Sequence, residues 1–172
     1  MLVSRAKLVR AVAFDVDGVM TDGGLYLTDS GEEFKRFNSL DGKGIKMLLD
    51  SGIAVAIITG RTSNCVTLRA QNLGITQVYQ GVEDKWTAML DFLESHRLTR
   101  DAGAFMGDDI MDLRAMRHVG LAISVPDAPQ RVRDDAHYIT QRRGGYGAVR
   151  EACEFILAAQ GLLDAQFAPY LL

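Results

Sequence analysis

Ala11–Val12–Ala13–Phe14–Asp15–Val16–Asp17–Gly18–Val19 is a short apolar run that stops at two carboxylates spaced i, i+2 and a glycine. Such a run reads as a buried strand. Its end is where open α/β sheets hold their ligands. Two like charges at that place cost stability unless a cation or a substrate needs them. Three distant segments repeat the arrangement of a polar group just past a strand or at a helix start. Thr59 follows the run Ala54–Ile58, Lys85 opens a helical segment, and Gly107–Asp108–Asp109 follows Ala104–Phe105–Met106. Together they are expected to form one phosphoryl-transfer site.

Outward from this centre, strand-like runs alternate with helical patterns. Strands are expected at Val9–Phe14, Ile53–Thr59, Gln77–Tyr79, Ala102–Met106, Leu121–Ser124 and Tyr138–Ile139. Helices are expected at Gly42–Asp50, Ser63–Leu73, Asp84–Ser95, Asp109–Arg117 and Ala148–Gln160. The alternation predicts an α/β fold, a Rossmann-like parallel sheet with helices on both faces. One segment breaks the rhythm. Residues 23–37 hold two β-prone runs around Asp29–Ser30–Gly31 and read as a hairpin that can overhang the site. Such a hairpin is marginal alone and exposes edges that invite pairing with another subunit. Residues 162–172 show no clear period and read as a tail.

The chain of 172 residues fits one domain, 1–172. Its net charge is −3 with no basic block, which argues against nucleic acid as a partner. Nothing approaches membrane-spanning length, and Met1–Arg10 lacks a long apolar stretch, so the expected location is the cytoplasm. Cys65 and Cys153 have no ligand spacing and read as thiols of a reducing compartment. His96, His118 and His137 show no mutual spacing for a metal. Gly144–Gly145–Tyr146–Gly147 stands too late in the chain for a nucleotide loop, and no Walker A, G-x-G-x-x-G or G-x-S-x-G pattern is present.

Each motif has two readings. Asp15 can be a nucleophile towards phosphorus, with Asp17 as acid and base. Asp17–Gly18 equally fits a plain turn. Asp108 and Asp109 are hard oxygen ligands suited to Mg²⁺. They also suit the first turn of a helix, with Asp112 behind them in support. Thr59–Gly60–Arg61 can cradle a phosphate near a helix start, or simply turn the chain. Lys85 can neutralise a transferring phosphoryl group, or stand in solvent.

In order and spacing these motifs resemble the haloacid dehalogenase superfamily of phosphotransferases. The resemblance rests on D-x-D-G at Asp15–Gly18, on Thr59, on Lys85, and on G-D-D-x-x-D at Gly107–Asp112. It implies Asp15 as nucleophile and Asp17 as acid/base. It implies Mg²⁺ bound by the Asp15 carboxylate, the Asp17 carbonyl and Asp108, with Thr59 and Lys85 on the phosphate. With only a hairpin where many members carry a cap domain, the chain is similar to the 3-deoxy-D-manno-octulosonate 8-phosphate phosphatases. Asp41–Gly42–Lys43–Gly44–Ile45, Ala56–Arg61, Leu73–Gly74–Ile75, Tyr79–Gln80–Gly81 and Gly144–Glu151 carry that likeness. It implies a homotetrameric enzyme of lipopolysaccharide synthesis acting on a sugar-acid phosphate. Substrate contacts are implied from Asp17, Asn38, Ser39, Leu40, Asp41, Gly42, Lys46, Arg61, Arg69 and Lys85, the cations matching a carboxylate and a phosphate. In that tetramer neighbours replace the cap, and the tail reaches a neighbouring site. A phosphatase of a sialic-acid-type 9-phosphate and a non-catalytic tetramerising module of sugar-acid metabolism stand as alternatives.

Overall fold

A computed structural model gives the structure of residues 1–171. The elements are α1 (Leu2–Leu8), β1 (Ala11–Phe14), β2 (Tyr26–Leu27), β3 (Glu33–Phe34), α2 (Ser39–Asp50), β4 (Ala54–Ile58), α3 (Asn64–Leu73) and β5 (Gln77–Tyr79). They continue with α4 (Lys85–Ser95), β6 (Gly103–Met106), α5 (Leu113–His118), β7 (Leu121–Ser124), α6 (Gln130–Asp134), β8 (Tyr138–Ile139), α7 (Ala148–Ala159) and α8 (Leu163–Phe167). Six strands form one sheet in the order β5-β4-β1-β6-β7-β8, every pair parallel. All residues of β1, β6 and β7 are buried, so both faces of the sheet are covered. This is the expected α/β class.

The sheet order positions the site. From β1 the chain builds β4 and β5 on one side, then returns to lay β6, β7 and β8 on the other. The reversal opens a crevice at the carboxyl ends of β1 and β6, where such sheets bind ligands. Phe14 is in register with both Ile57 and Met106, so the residues that follow β1, β4 and β6 emerge side by side.

The structure departs from expectation at several element ends and in two further helices. The first strand begins at Ala11 rather than Val9, because Val9 closes α1. Helix α1 was not foreseen: its one buried residue is Ala6, which leaves no apolar stripe to read, and it is fixed by packing on α7. Helix α2 starts at Ser39, three residues before the expected Gly42, with Asn38 as its cap accepting from the Leu40 N–H at 2.8 Å. Helix α6, after Pro129, was also unforeseen.

The tail is ordered rather than featureless. Helix α8 and a 3₁₀ turn at Ala168–Tyr170 fold back on the chain's own α2 and α7. Gln166 Nε2 donates to Ser51 Oγ at 3.0 Å, Lys43 Nζ to the Tyr170 hydroxyl at 3.0 Å, and the Arg150 guanidinium lies 5.9 Å from the centre of the Phe167 ring. Leu172, the last residue of that expectation, lies outside the described residues. The hairpin forms as expected outside the main sheet, with Tyr26 stacked on Phe34 at 5.0 Å and Leu25, Leu27 and Phe34 exposed. Among the described residues no helix is long and apolar enough to cross a membrane.

Candidate active site

The four motifs meet in one cavity of about 240 Å³ lined by Asp15, Asp17, Thr59, Gly60, Arg61, Lys85, Asp108, Asp109 and Met111. Its floor stands on strand ends. Asp15 follows β1 and ties its N–H to Met106 O on β6 at 3.0 Å. Thr59 follows β4, and its N–H reaches Tyr79 O at 2.9 Å. Lys85 is the first residue of α4, which Asp84 caps through the Trp86 N–H. Asp108 follows β6 by one glycine. A wider cleft of about 760 Å³ lies at the opposite ends of the strands, beside Arg10 and Ile53, and its lining contains no carboxylate.

Lys85 and Asp112 organise the floor. Lys85 Nζ lies 3.0 Å from Asp15 Oδ2 and 2.6 Å from Asp112 Oδ1. Asp112 Oδ2 accepts the N–H groups of Asp108 at 2.9 Å and Asp109 at 3.1 Å. Both oxygens of the fully buried Asp112 are thus engaged, and it anchors the motif as a supporting residue. Asp109 in turn caps the turn Ile110–Asp112, so the capping reading of this cluster is realised.

Asp108 is short of a partner: among the described residues its buried Oδ1 meets no hydrogen-bond donor. Oxygens of Asp15, Asp108 and Asp112 lie within 4.8 Å of one another. Burial first, then the Asp112 charge, raises the Asp15 carboxyl to about 7, with Lys85 opposing. Burial, then Asp15, Asp112 and Asp109, raises Asp108 to about 8, again against Lys85. Burial alone would lower the Lys85 ammonium, but Asp15 and Asp112 outweigh it and its pKa is raised. An orphaned buried oxygen amid all-oxygen donors and repelling carboxylates is the environment a hard divalent cation fits. Gly18, at φ 89°, makes room for this: a Cβ there would run into the Asp108 carboxylate. Gly144 has a similar cause, since its Cα face rests against Gly18 O.

The roof comes from the hairpin, and sequence reading missed its key residues. Lys35 Nζ lies 2.6 Å from Asp17 Oδ1 and 3.1 Å from Glu33 Oε1, its side chain only 2 % exposed. Arg61 Nε lies 3.6 Å from Asp17 Oδ2, and its Nη2 reaches Glu33 Oε1 at 3.1 Å. The available signal was the alternation Glu33–Phe34–Lys35, which puts the two charges on one side and the ring on the other. Met111, on the cavity wall, had no signal beyond its neighbours.

The other expected contact residues do not line this cavity. Asn38 caps α2 and donates to Gly145 O at 3.3 Å. Ser39 and Leu40 are exposed in the first turn of α2. Asp41 is buried, and its Oδ1 accepts the Arg150 N–H at 2.9 Å in the first turn of α7, where a carboxylate is favoured. Burial raises its pKa. Gly42 is likewise closed, its missing side chain leaving the space that the Arg69 guanidinium fills. Arg69 donates to Asn38 O at 3.1 Å, and Lys46 is exposed on α2.

A protein from Yersinia pestis named 3-deoxy-D-manno-octulosonate 8-phosphate phosphatase is 45% identical over 163 residues, 95% of this chain and 87% of that one. The chain belongs to the 3-deoxy-D-manno-octulosonate 8-phosphate phosphatase family. A family structure from Moraxella catarrhalis, in complex with magnesium ion, phosphate ion and KDO molecule, has a TM-score of 0.96 at 43% identity and covers 98% of this chain and 97% of that one. A probable yrbi family phosphatase from Pseudomonas syringae pv. phaseolica has a TM-score of 0.97 at 48% identity, over 99% of this chain and 97% of the other. No protein-family profile matches the chain.

Proposed function

We propose that this chain is the Mg²⁺-dependent phosphatase that hydrolyses 3-deoxy-D-manno-octulosonate 8-phosphate to the free sugar acid and phosphate, within lipopolysaccharide synthesis. The observation that carries the reading is the convergence of Asp15, Asp17, Thr59, Lys85 and Asp108 on one cavity. Asp15 attacks phosphorus: an Oδ–P bond forms, the ester P–O bond breaks, and Asp17 gives its proton to the leaving oxygen. Asp17 then takes a proton from the water that hydrolyses the aspartyl-phosphate, which returns Asp15 and releases phosphate. Lys85 holds Asp15 in place and, with Thr59, faces the phosphate oxygens. Mg²⁺, held by Asp15, Asp108 and the Asp17 carbonyl, neutralises the charge of carboxylates and phosphate and polarises the P–O bond.

The cavity is smaller than the few hundred Å³ typical of pockets that enclose a whole ligand. It suits the phosphate end, and the sugar acid extends beyond it. In this reading the chain acts as one domain, with the hairpin 23–37 and the tail 162–172 as its additions. It works in the cytoplasm as a homotetramer, and the exposed Leu25, Leu27 and Phe34 are covered by a neighbour. Arg61 serves the substrate within the chain. Asn38, Ser39, Leu40, Lys46 and Arg69 complete the site across a subunit boundary, and the positions of Asp41 and Gly42 contribute backbone only.

Phosphate release from a panel of sugar phosphates, with and without Mg²⁺, tests the reading. Turnover of the eight-carbon substrate above all others, only with the metal, is expected. A preference for a nine-carbon sialic-acid-type phosphate would reassign the substrate, and no turnover of any would leave a scaffold. Light scattering checks the tetramer, and a fully active monomer would refute the shared cap.

A further inference from the structure

Lys35 does not line the cavity, yet it holds a carboxylate that does. A lysine ammonium this buried costs stability unless it is paired. Here its two partners are Asp17 and Glu33, at 2.6 and 3.1 Å. Without Lys35, the Asp17 side chain has Arg61 alone, at 3.6 Å and itself half exposed. Other contacts tie the hairpin to its surroundings, Arg61 Nη2 on Glu33 Oε1 at 3.1 Å, Cys65 Sγ on Glu33 O at 3.6 Å and Arg36 Nη1 on Gly145 O at 3.0 Å, but none of them meets the Asp17 side chain from the hairpin. Among the described hairpin residues, Lys35 is the one that bonds Asp17 directly and so couples its orientation to the hairpin.

We infer that Lys35 is a positioning residue for proton transfer to the leaving group: it fixes Asp17 Oδ1 from outside the cavity, so that Oδ2, 3.6 Å from Arg61 Nε on the cavity lining, is the oxygen left for the reacting ester. This rests on Asp17 being the acid/base of the proposed reaction. The proton moves from Asp17 to the departing oxygen as the ester bond breaks and returns from water in the second half. Lys35 keeps its own proton throughout. A misoriented acid matters most for a poor leaving group such as a sugar alkoxide, and little for an aryl phosphate whose leaving group needs no proton.

The test uses kcat/KM, which reports steps through phosphoryl transfer, for the eight-carbon sugar-acid phosphate and for p-nitrophenyl phosphate. Lys35→Met is expected to lower the first by about tenfold or more, within the ~10²–10⁴ a general acid supplies. The second should fall by less than about threefold. Lys35→Arg should restore much of the loss, because a cation within reach can still hold Asp17. In an Asp17→Asn background Lys35→Met should add no further loss, since the two act through one contact. Equal losses on both substrates, or an undiminished loss in the Asp17→Asn background, would overturn the inference. Lys35 lies outside the apolar core, so the full chain is expected to fold; Lys35→Gln repeats the comparison if Lys35→Met does not. Asp17→Asn with unchanged activity on the sugar-acid phosphate would instead remove the acid/base reading itself. Asp17→Asn crippled with Lys35→Met fully active would remove only Lys35.

Discussion

On the floor of the cavity, Asp15, Thr59 and Asp108 follow β1, β4 and β6, strands buried throughout except for Ala54, and Lys85 opens α4. On the roof, Asp17 is clamped by Lys35 from a hairpin with two-residue strands. The floor concentrates like charge that the protein alone does not neutralise, which is why Asp108 keeps an orphaned oxygen and both carboxyls titrate high. The roof is balanced within itself, two carboxylates against two cations. The floor thus stands on buried strands and leaves its own carboxylates uncompensated, whereas the roof pairs its charges on a hairpin with two-residue strands. Loss of a floor residue should remove chemistry or metal, and loss of a roof residue should detune it.

The sharpest break is Asp15→Asn. An amide of the same shape is no nucleophile, and kcat should fall by about 10⁴-fold or more with circular dichroism unchanged. Near-normal turnover would end the aspartyl-phosphate mechanism and with it the distinction between floor and roof.

Next come Asp108→Ala and Asp112→Ala, measured by Mg²⁺ titration. Asp108→Ala should weaken binding more, because it removes the orphaned ligand oxygen, whereas losing a supporting residue costs about 10–100-fold. In denaturant the order reverses. Asp112→Ala leaves Lys85 and two N–H groups short of a partner and should destabilise the metal-free chain by about 3 kcal/mol. The opposite order in the titration would make Asp112 the direct ligand.

Removing the metal separates floor from roof by pH. The folded-state values of Asp15, about 7, and Asp108, about 8, stand above the ordinary 3.8. Between those limits the native metal-free chain binds more protons than the unfolded one, so its stability falls as pH rises. Its Tm should drop from pH 5 to pH 8, and saturating Mg²⁺ should flatten the profile and release protons on binding. A flat or rising Tm for the metal-free chain would show the floor charges to be balanced without a cation.

The smallest effect is expected from Glu33→Gln. It removes a second partner from both Lys35 and Arg61 but leaves each with Asp17. Stability should change by less than about 1 kcal/mol, because Glu33 and Arg61 are partly solvated. Activity should change only a few-fold. A loss as large as that of Asp15→Asn would mean that the roof is no lighter than the floor.

The sequence by itself determined the sheet and the floor. Both follow from local patterns: strands as short apolar runs, ligands as the polar residues at their ends, and β5, β7 and β8 at their expected bounds. Helix α1 and helix α8 were decided by tertiary structure, since their residues carry weak stripes, and so was the close approach of α2 to Arg150 on α7, which Gly44 permits by its lack of a side chain. Tertiary structure also set the Asp41 carboxylate on the Arg150 N–H in the first turn of α7, and Lys35 on Asp17 across 18 residues of chain. No periodicity encodes such pairs. A local run reports which face a residue shows, but which partner it meets is fixed only when the hairpin folds over the end of β1 and the charges must be paired to be buried.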